Sequence, residues 1–342
     1  QVPGRGSGAR RDAQWPAREL KQRMKHIAAV LHRMLPGTYQ EQLGAIDRII
    51  ADLSKNRRND HGFEYMFFAE FVELFGPPHV EASVRAMESI TQFASCEFAV
   101  RPFIKAHPEQ LLRQMLAWSE HPEHTVRRFS SEGCRPRLPW GMALHALQKD
   151  PAPILPILEN LKNDPSEFVR RSVANNLNDI AKDHPALVLQ LAKSWQGQSR
   201  ETDWVVKHGC RTLLKRGHVE ALALFGWAEV AAVQINNLTL KNQILPIGAH
   251  LEFVFELQHD GAEPCDLRLE YAIDYLKSNG KHNRKVFKIT ENTYHPGEVY
   301  RISRKQSFQD MTTRKHYPGL HRLAIVVNGK DSRAVEFEIR RD

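Results

Sequence analysis

The stretch Val126-Arg-Arg-Phe-Ser-Ser-Glu-Gly-Cys-Arg-Pro-Arg-Leu-Pro-Trp140 reads as a short helix cut off by a glycine and two prolines amid four arginines. Its opening recurs. Val126-Arg-Arg, Val169-Arg-Arg and Val205-Val-Lys each begin a segment of helical period, 43 residues apart (126 to 169) and then 36 (169 to 205), a spacing found in arrays of helical hairpins. After the first two, segments 152–161 and 186–194 read as longer apolar helices, and His107-Pro108 and His184-Pro185 supply the same helix-joining turn. The fold expected from this pattern is an α-solenoid of HEAT-like repeats.

Outward from the repeats, residues 19–34 place Leu20, Met24, Ile27, Ala28, Leu31 and Met34 at three-and-four spacing, and residues 40–53 do the same with Leu43, Ile46, Ile49, Ile50 and Leu53. Further helices are predicted over 65–75, 80–93, 99–106 and 109–119. In the middle repeat Asp164-Pro165 offers an N-cap and a first-turn proline, Phe168/Val169, Val173, Leu177 and Ile180 form the stripe to be buried, and Arg171, Asn175, Asn178 and Lys182 lie opposite. In the next repeat Thr202 or Asp203 is the expected cap, and Asp203, Lys207, Arg211 and Lys215 line up at four-residue steps. Solvated helix faces would look the same singly; three basic or amide stripes in register point to a polyanion.

After about Ala231 the period changes from 3.6 to 2. Leu251, Phe253, Phe255 and Leu257 alternate with polar neighbours, followed by Leu267/Leu269/Tyr271/Ile273, Val286/Lys288, Val299/Arg301, Leu323/Ile325/Val327 and Val335/Phe337/Ile339, with Asn328-Gly329 as a hairpin turn. Roughly seven strands make an all-β sandwich, most simply immunoglobulin-like without the antibody cysteine pair. The expected domains are therefore a flexible tail over 1–14, a helical repeat domain over 15–230 and the sandwich over 231–342. Its loops are basic: 277–285 carries Lys277, Lys281, Arg284 and Lys285 with no acid, and Arg301, Arg304, Lys305, Arg314, Lys315 and His316 add to them.

Forty-eight Lys and Arg against forty Asp and Glu give a net charge of +8, which favours a polyanionic partner without requiring one. Four widely spaced cysteines, Cys96, Cys134, Cys210 and Cys265, read as reduced thiols, and His121-Pro-Glu-His124 with Cys134 fits no standard metal spacing. No metal or cofactor is expected. No apolar run approaches the ~20 residues of a membrane span, and a cytoplasmic protein is expected. There is no glycine-rich phosphate loop and no Gly-x-Ser-x-Gly elbow.

Two carboxylates sit inside the basic stripes. Glu132 falls in the last turn of its helix, where the macrodipole disfavours a negative charge by roughly 0.3–1 kcal/mol; an ion pair with Arg128 would explain it, and so would a role facing developing positive charge. For Asp203 the alternatives are capping or the same role. Trp140, Trp195 and Trp204 are either core or, beside carboxylates, faces for a cationic base.

The motifs Val126–Trp140, Phe-Val-Arg-Arg-Ser-Val-Ala-Asn-Asn-Leu-Asn-Asp-Ile (168–180) and Thr-Asp-Trp-Val-Val-Lys-His-Gly-Cys-Arg (202–211) resemble the bacterial HEAT-like alkylpurine DNA glycosylases, in the AlkC branch, some members of which carry a C-terminal immunoglobulin-like domain. The resemblance spans nearly the whole chain after the tail. It implies excision of cationic N-alkylated bases, chiefly 3-methyladenine and 3-methylcytosine, from double-stranded DNA by a monomeric, nucleoid-associated enzyme. Glu132 matches the family's acidic position, with Asp203 second; Trp140, Trp204 and Asn175 would meet the base, and Arg127, Arg128, Arg135, Arg137, Arg171, Lys207, Arg211, Lys281, Arg284 and Lys285 would contact DNA. The alternative is a non-enzymatic scaffold binding nucleic acid or an acidic protein.

Overall fold

The computed structural model describes residues 13–55, 63–227, 232–311 and 314–341; most of the expected 1–14 tail lies outside the described residues. The chain divides into two compact units, Gln1–Cys210 and Arg211–Asp342.

In the first unit the predicted periods become α1 (Leu20–Met34), α2 (Tyr39–Lys55), α3 (Phe67–Phe75), α4 (Val80–Thr91), α5 (Val100–Ala106), α6 (Pro108–Trp118), α7 (His124–Gly133), α8 (His145–Lys149), α9 (Leu155–Leu161), α10 (Glu167–Ile180), α11 (Pro185–Trp195) and α12 (Arg200–Gly209). Glu19 and Gln22 close a capping box at the start of α1. The His-Pro turns are alike: His107 (φ −133°, ψ 59°) and His184 (φ −129°, ψ 63°) each cap a helix whose first residue is proline. Both of those helices end in a buried tryptophan, and each indole donates to a glutamate of the preceding helix in its row, Trp118 to Glu88 at 2.6 Å and Trp195 to Glu159 at 2.7 Å. The other row consists of α7, α10 and α12, with α10 packed between its two neighbours. Val126, Val169 and Val205, the repeat markers, are fully buried.

Several local expectations change. The segment 152–161 is a 3-10 turn (Ala152–Ile154) and a seven-residue α9, shorter than the ten-residue α7. Asp164 does not cap α10: the N-cap is Ser166, whose N–H donates to Asp164 Oδ1 at 2.8 Å. Ser199, not Thr202 or Asp203, caps α12, accepting from the Thr202 N–H at 3.0 Å. Phe168 is 47 % exposed rather than part of the buried stripe, while Asn178, expected opposite that stripe, is buried.

The second unit begins with two short helices, α13 (Arg211–Lys215) and α14 (Val219–Leu224), so the compact units divide earlier in the chain than the change of period does. Among the described residues nine strands follow: β1 (Val233–Leu240), β2 (Ile244–Pro246), β3 (His250–His259), β4 (Cys265–Leu276), β5 (His282–Tyr294), β6 (Val299–Ser307), β7 (Gly319–Val327), β8 (Lys330–Asp331) and β9 (Val335–Arg340). They form a three-stranded sheet, β1-β3-β6, and a six-stranded sheet ordered β2-β9-β7-β4-β5 with β8 on β7. The core between them holds Leu251, Phe253, Phe255, Tyr271, Ile273, Leu323, Ile325, Phe337 and Ile339, so the alternation assigned most strands to the correct face. On β6 the phase is shifted by one: Val299 is exposed, and Tyr300 and Ile302 pack inward.

Strand β4 is buried on both faces. Its outward Arg268 lies 5.3 Å over the Trp227 ring and pairs with Glu270 at 2.6 Å. The Asn328-Gly329 turn joins β7 to β8 with both residues at positive φ (45° and 80°), and Asn328 Oδ1 accepts from the Arg268 N–H at 2.8 Å. Gly329 touches Gly217, between α13 and α14: a Cβ on Gly329 would stand 2.7 Å from Gly217 Cα and from Leu222 Cδ1. The expected consequence is that Gly329→Ala destabilises the chain by more than about 1 kcal/mol beyond Gly280→Ala, because Gly280 shares the positive φ (75°) but has open space around it. Urea unfolding of the two variants measures the difference; equal losses would show that the helices do not press on this turn.

Candidate active site

The last turn of α7 answers the question its sequence raises. Glu132 is 5 % exposed, and its Oε1 accepts from Arg135 Nη1 at 2.7 Å and lies 3.6 Å from Arg128 Nη2. Arg135 in turn donates through Nε to Asp179 Oδ2 on α10 at 2.9 Å, and Lys182 reaches the other oxygen of Asp179 at 3.0 Å. Arg128 also donates to Glu97 and, at 2.8 Å, to the Ser95 hydroxyl, while its guanidinium sits 4.7 Å from the Phe168 ring centroid. Alternating charges therefore run from Glu97 through Arg128, Glu132, Arg135 and Asp179 to Lys182. Buried ions are tolerated only in such pairs, since an unpaired one costs several kcal/mol.

The hydrogen bond from Arg135 and the nearest approach of Arg128 both fall on Oε1. Among the described residues Oε2 accepts no hydrogen bond, and it is not one of the fully buried polar atoms. One oxygen is thus anchored and the other is left without a hydrogen-bond partner.

The loop after α7 is held from below by Arg101 of α5, whose side chain is fully buried. It donates to the carbonyls of Gly133 (2.9 Å), Arg135 (2.8 Å) and Met142 (2.5 Å). Burial pushes its pKa down to about 10, still well above neutrality. At the loop apex Trp140 is 70 % exposed with φ 63°, and its carbonyl accepts from the Lys21 ammonium of α1. A bulky side chain at positive φ is an outlier that the surrounding contacts must hold in place.

Asp203 lies in the first half of α12, half-buried, with Oδ1 accepting from the Gly197 N–H at 2.7 Å. The neighbouring Trp204 is 37 % exposed and stacks on His208, centroids 5.0 Å apart and planes 8° from parallel. Phe168 and Trp204 each precede a repeat valine, so the same position in two consecutive repeats presents an aromatic face. Trp195, by contrast, is core.

The arginines divide by task. Arg127 forms a two-point pair with Asp164 (2.6 and 3.2 Å) and donates to the carbonyls of His121 and Pro122; Arg170 repeats the second motif on Asp164 and Pro165. The first arginine of each tandem is a clasp on its own turn. The guanidinium groups of Arg128 and Arg135 are engaged by the carboxylates of Glu97, Glu132 and Asp179. Arg137 pairs with Asp183 at 2.8 Å and Arg171 with Glu167 at 2.7 Å, both at partly open positions, and Lys207 is exposed on α12. Asn175 is half-buried on α10. Arg211 is not on the helix of Asp203 and Lys207: α12 ends at Gly209, and Arg211 opens α13 in the second unit. There Lys281 and Lys285 are exposed, and Arg284 is paired with Asp331 at 2.7 Å.

Reading by stripe missed Glu97, Asp179, Arg101 and Phe168. Asp179 had a signal, being four residues on from Asn175; Arg101 had none, since its partners lie more than thirty residues away. No group of three metal-binding side chains occurs among the described residues, and burial pushes the Cys134 thiol up to about 12. No described helix is long and apolar enough to cross a membrane.

Residues 78–213 match the family model of DNA alkylation repair enzymes, and residues 234–341 match that of the C-terminal Ig-like domain of YhaZ. Paired helical repeats followed by an immunoglobulin-like sandwich thus define a two-domain member of the alkylation-repair class. The chain is 45 % identical to the uncharacterized protein YhaZ of Bacillus subtilis (strain 168), over 95 % of this chain and 88 % of that one. It superposes with a TM-score of 0.90 on the Pseudomonas fluorescens alkylpurine DNA glycosylase AlkC bound to DNA containing an abasic site analog, at 38 % identity over 96 % of this chain and 90 % of that one. The chain belongs to the AlkC family of DNA alkylation repair enzymes.

Replacing Arg101 by Met removes the donor from three carbonyls, two of them on buried residues, at a cost of about 3 kcal/mol. Urea unfolding is expected to show that loss; one below about 1 kcal/mol would mean that the 133–142 loop is held by other contacts.

Proposed function

We propose that the chain hydrolyses the N-glycosidic bond of cationic alkylated bases in double-stranded DNA, chiefly 3-methyladenine and 3-methylcytosine, as a monofunctional glycosylase acting as a monomer. The observation that carries this reading is the division of Glu132, inside a basic cluster, into an oxygen anchored by Arg135 and an oxygen that accepts no hydrogen bond. Family membership agrees with it, and the DNA held by the AlkC neighbour contains an analog of an abasic site, the state that base release leaves.

A base alkylated to a cation departs without a general acid, because cleavage neutralises it. Positive charge then grows on the deoxyribose, and a preoriented carboxylate in a largely desolvated site stabilises that charge far better than water would. Glu132 Oε2 is the group we assign to this work, together with directing a water to the anomeric carbon. The two arginines fix the carboxylate so that it need not reorganise as the charge develops. Asp203, with one oxygen held by the Gly197 N–H, is assigned the supporting place. The exposed faces of Trp140 and Trp204 suit a cationic base, with Asn175 as a polar contact, and Arg137, Arg171 and Lys207 are the exposed cations of this unit assigned to DNA phosphates.

Single-turnover release of 3-methyladenine from methylated duplex DNA tests the assignment. Glu132→Gln is expected to slow release about 10²–10³-fold, the loss typical of one preorganised electrostatic group, while affinity for a duplex carrying an abasic analog changes little. Wild-type release by Glu132→Gln would remove the residue assignment, and no release by the wild type would leave the non-enzymatic scaffold.

A further inference from the structure

The second unit holds a small cavity of about 350 Å³ between the end of β4, the start of β5 and the segment before β7. Its walls carry Lys277, Lys285, Arg314 and Lys315, together with Tyr275 and His316, and no carboxylate lines it. Four cations around one cavity with no acid in its walls make a positive potential that favours an anion. Lys285 registers that potential: partial burial, then Arg314 and Lys277, depress its pKa.

Three polar atoms of the same pocket are buried without a partner: the Tyr275 hydroxyl, His316 Nε2 and Arg314 Nε. Tyr275 is 7 % exposed and His316 2 %. An unsatisfied buried donor costs about 1–3 kcal/mol, so three in one cavity call for a common acceptor. The geometry is compact. Lys285 Nζ and Arg314 Cζ each lie 5.9 Å from the centroid of the Tyr275 ring, and the His316 ring centroid is 5.8 Å from it. His316 Nδ1 is engaged by Asp310 at 3.1 Å, which orients the ring; burial lowers the pKa of the ring, so Nε2 acts as a donor only once a bound anion favours its protonation.

We propose that this pocket binds a single tetrahedral oxyanion of phosphate type, with Lys285 and Arg314 supplying the charge and the Tyr275 hydroxyl, Arg314 Nε–H and His316 Nε2–H the directed donors. A tetrahedral dianion has enough acceptor sites to meet all three, whereas a chloride or a water meets the charge or the hydrogen bonds but not both. The inference stands on the second unit alone and is independent of base release.

The test is thermal unfolding of the full chain in sodium phosphate against sodium chloride at matched ionic strength, with a short undamaged duplex as competitor. The wild type is expected to gain stability specifically from phosphate. Lys285→Met and Tyr275→Phe should each raise the half-saturating phosphate concentration about tenfold, or about 1.4 kcal/mol, and Lys305→Met, the same charge change outside the pocket, should not. If duplex and phosphate compete and Lys285→Met weakens both, the bound group is a phosphate of the DNA backbone. If Lys285→Met weakens phosphate alone, it is a free phosphate or phosphorylated small molecule. No phosphate-specific gain in the wild type, or an equal gain in wild type and both pocket variants, overturns the proposal.

Discussion

Desolvation of charge is the constraint on which the first unit depends. Glu132, Arg135 and Asp179 are nearly inaccessible to water, and each is acceptable there only because the next member of the sequence of charges answers it. Since Glu132 and Arg135 come from α7 and the turn after it and Asp179 from α10, the pairing also fixes the register of two adjacent repeats. Arg101 extends the same logic to the backbone by joining three carbonyls of one loop to one buried cation. The unbonded oxygen of Glu132 is a by-product of that rigidity: a carboxylate anchored on one side keeps a defined direction on the other.

The sandwich solves a different problem. A sheet strand buried on one face can alternate; β4 is buried on both, and the charged pair Arg268–Glu270 is sealed beneath Trp227 on the outward side. That covering layer comes from residues just before the first strand, which is why α13 and α14 belong with the sheets although their period is helical. The close approach of Gly217 to Gly329 marks where that segment meets the β7–β8 turn.

Much of the architecture was legible because periodicity is a local signal. The valines at 126, 169 and 205, the His-Pro turns and the alternation in β3, β4, β7 and β9 each report burial through neighbours within a few residues. Phe168 misled the same reasoning: it sits at the edge of the apolar stripe, and the partner that covers it is Arg128 of another repeat rather than core. Apart from the Arg128–Glu132 pair, the partners of the arginines were not legible at all. Val-Arg-Arg looks like two phosphate ligands, yet Arg127 and Arg170 close their own turns and Arg128 and Arg135 neutralise buried acids.

By itself the sequence determined the succession of helical repeats and an immunoglobulin-like sandwich, the position of the Glu132 motif at a helix end, and the excess of basic charge. Those features follow from spacing and composition, which need no partner to be read. Only the tertiary structure decided which charges are buried against one another and which remain open, that Trp140 and Trp204 are exposed while Trp195 is core, and that the cations of the β4–β5 and 314–317 segments meet with buried donors in one pocket. Each of these depends on residues brought together from distant parts of the chain, and the electrostatic energy of a pair is set by its distance and its access to water, neither of which the sequence records.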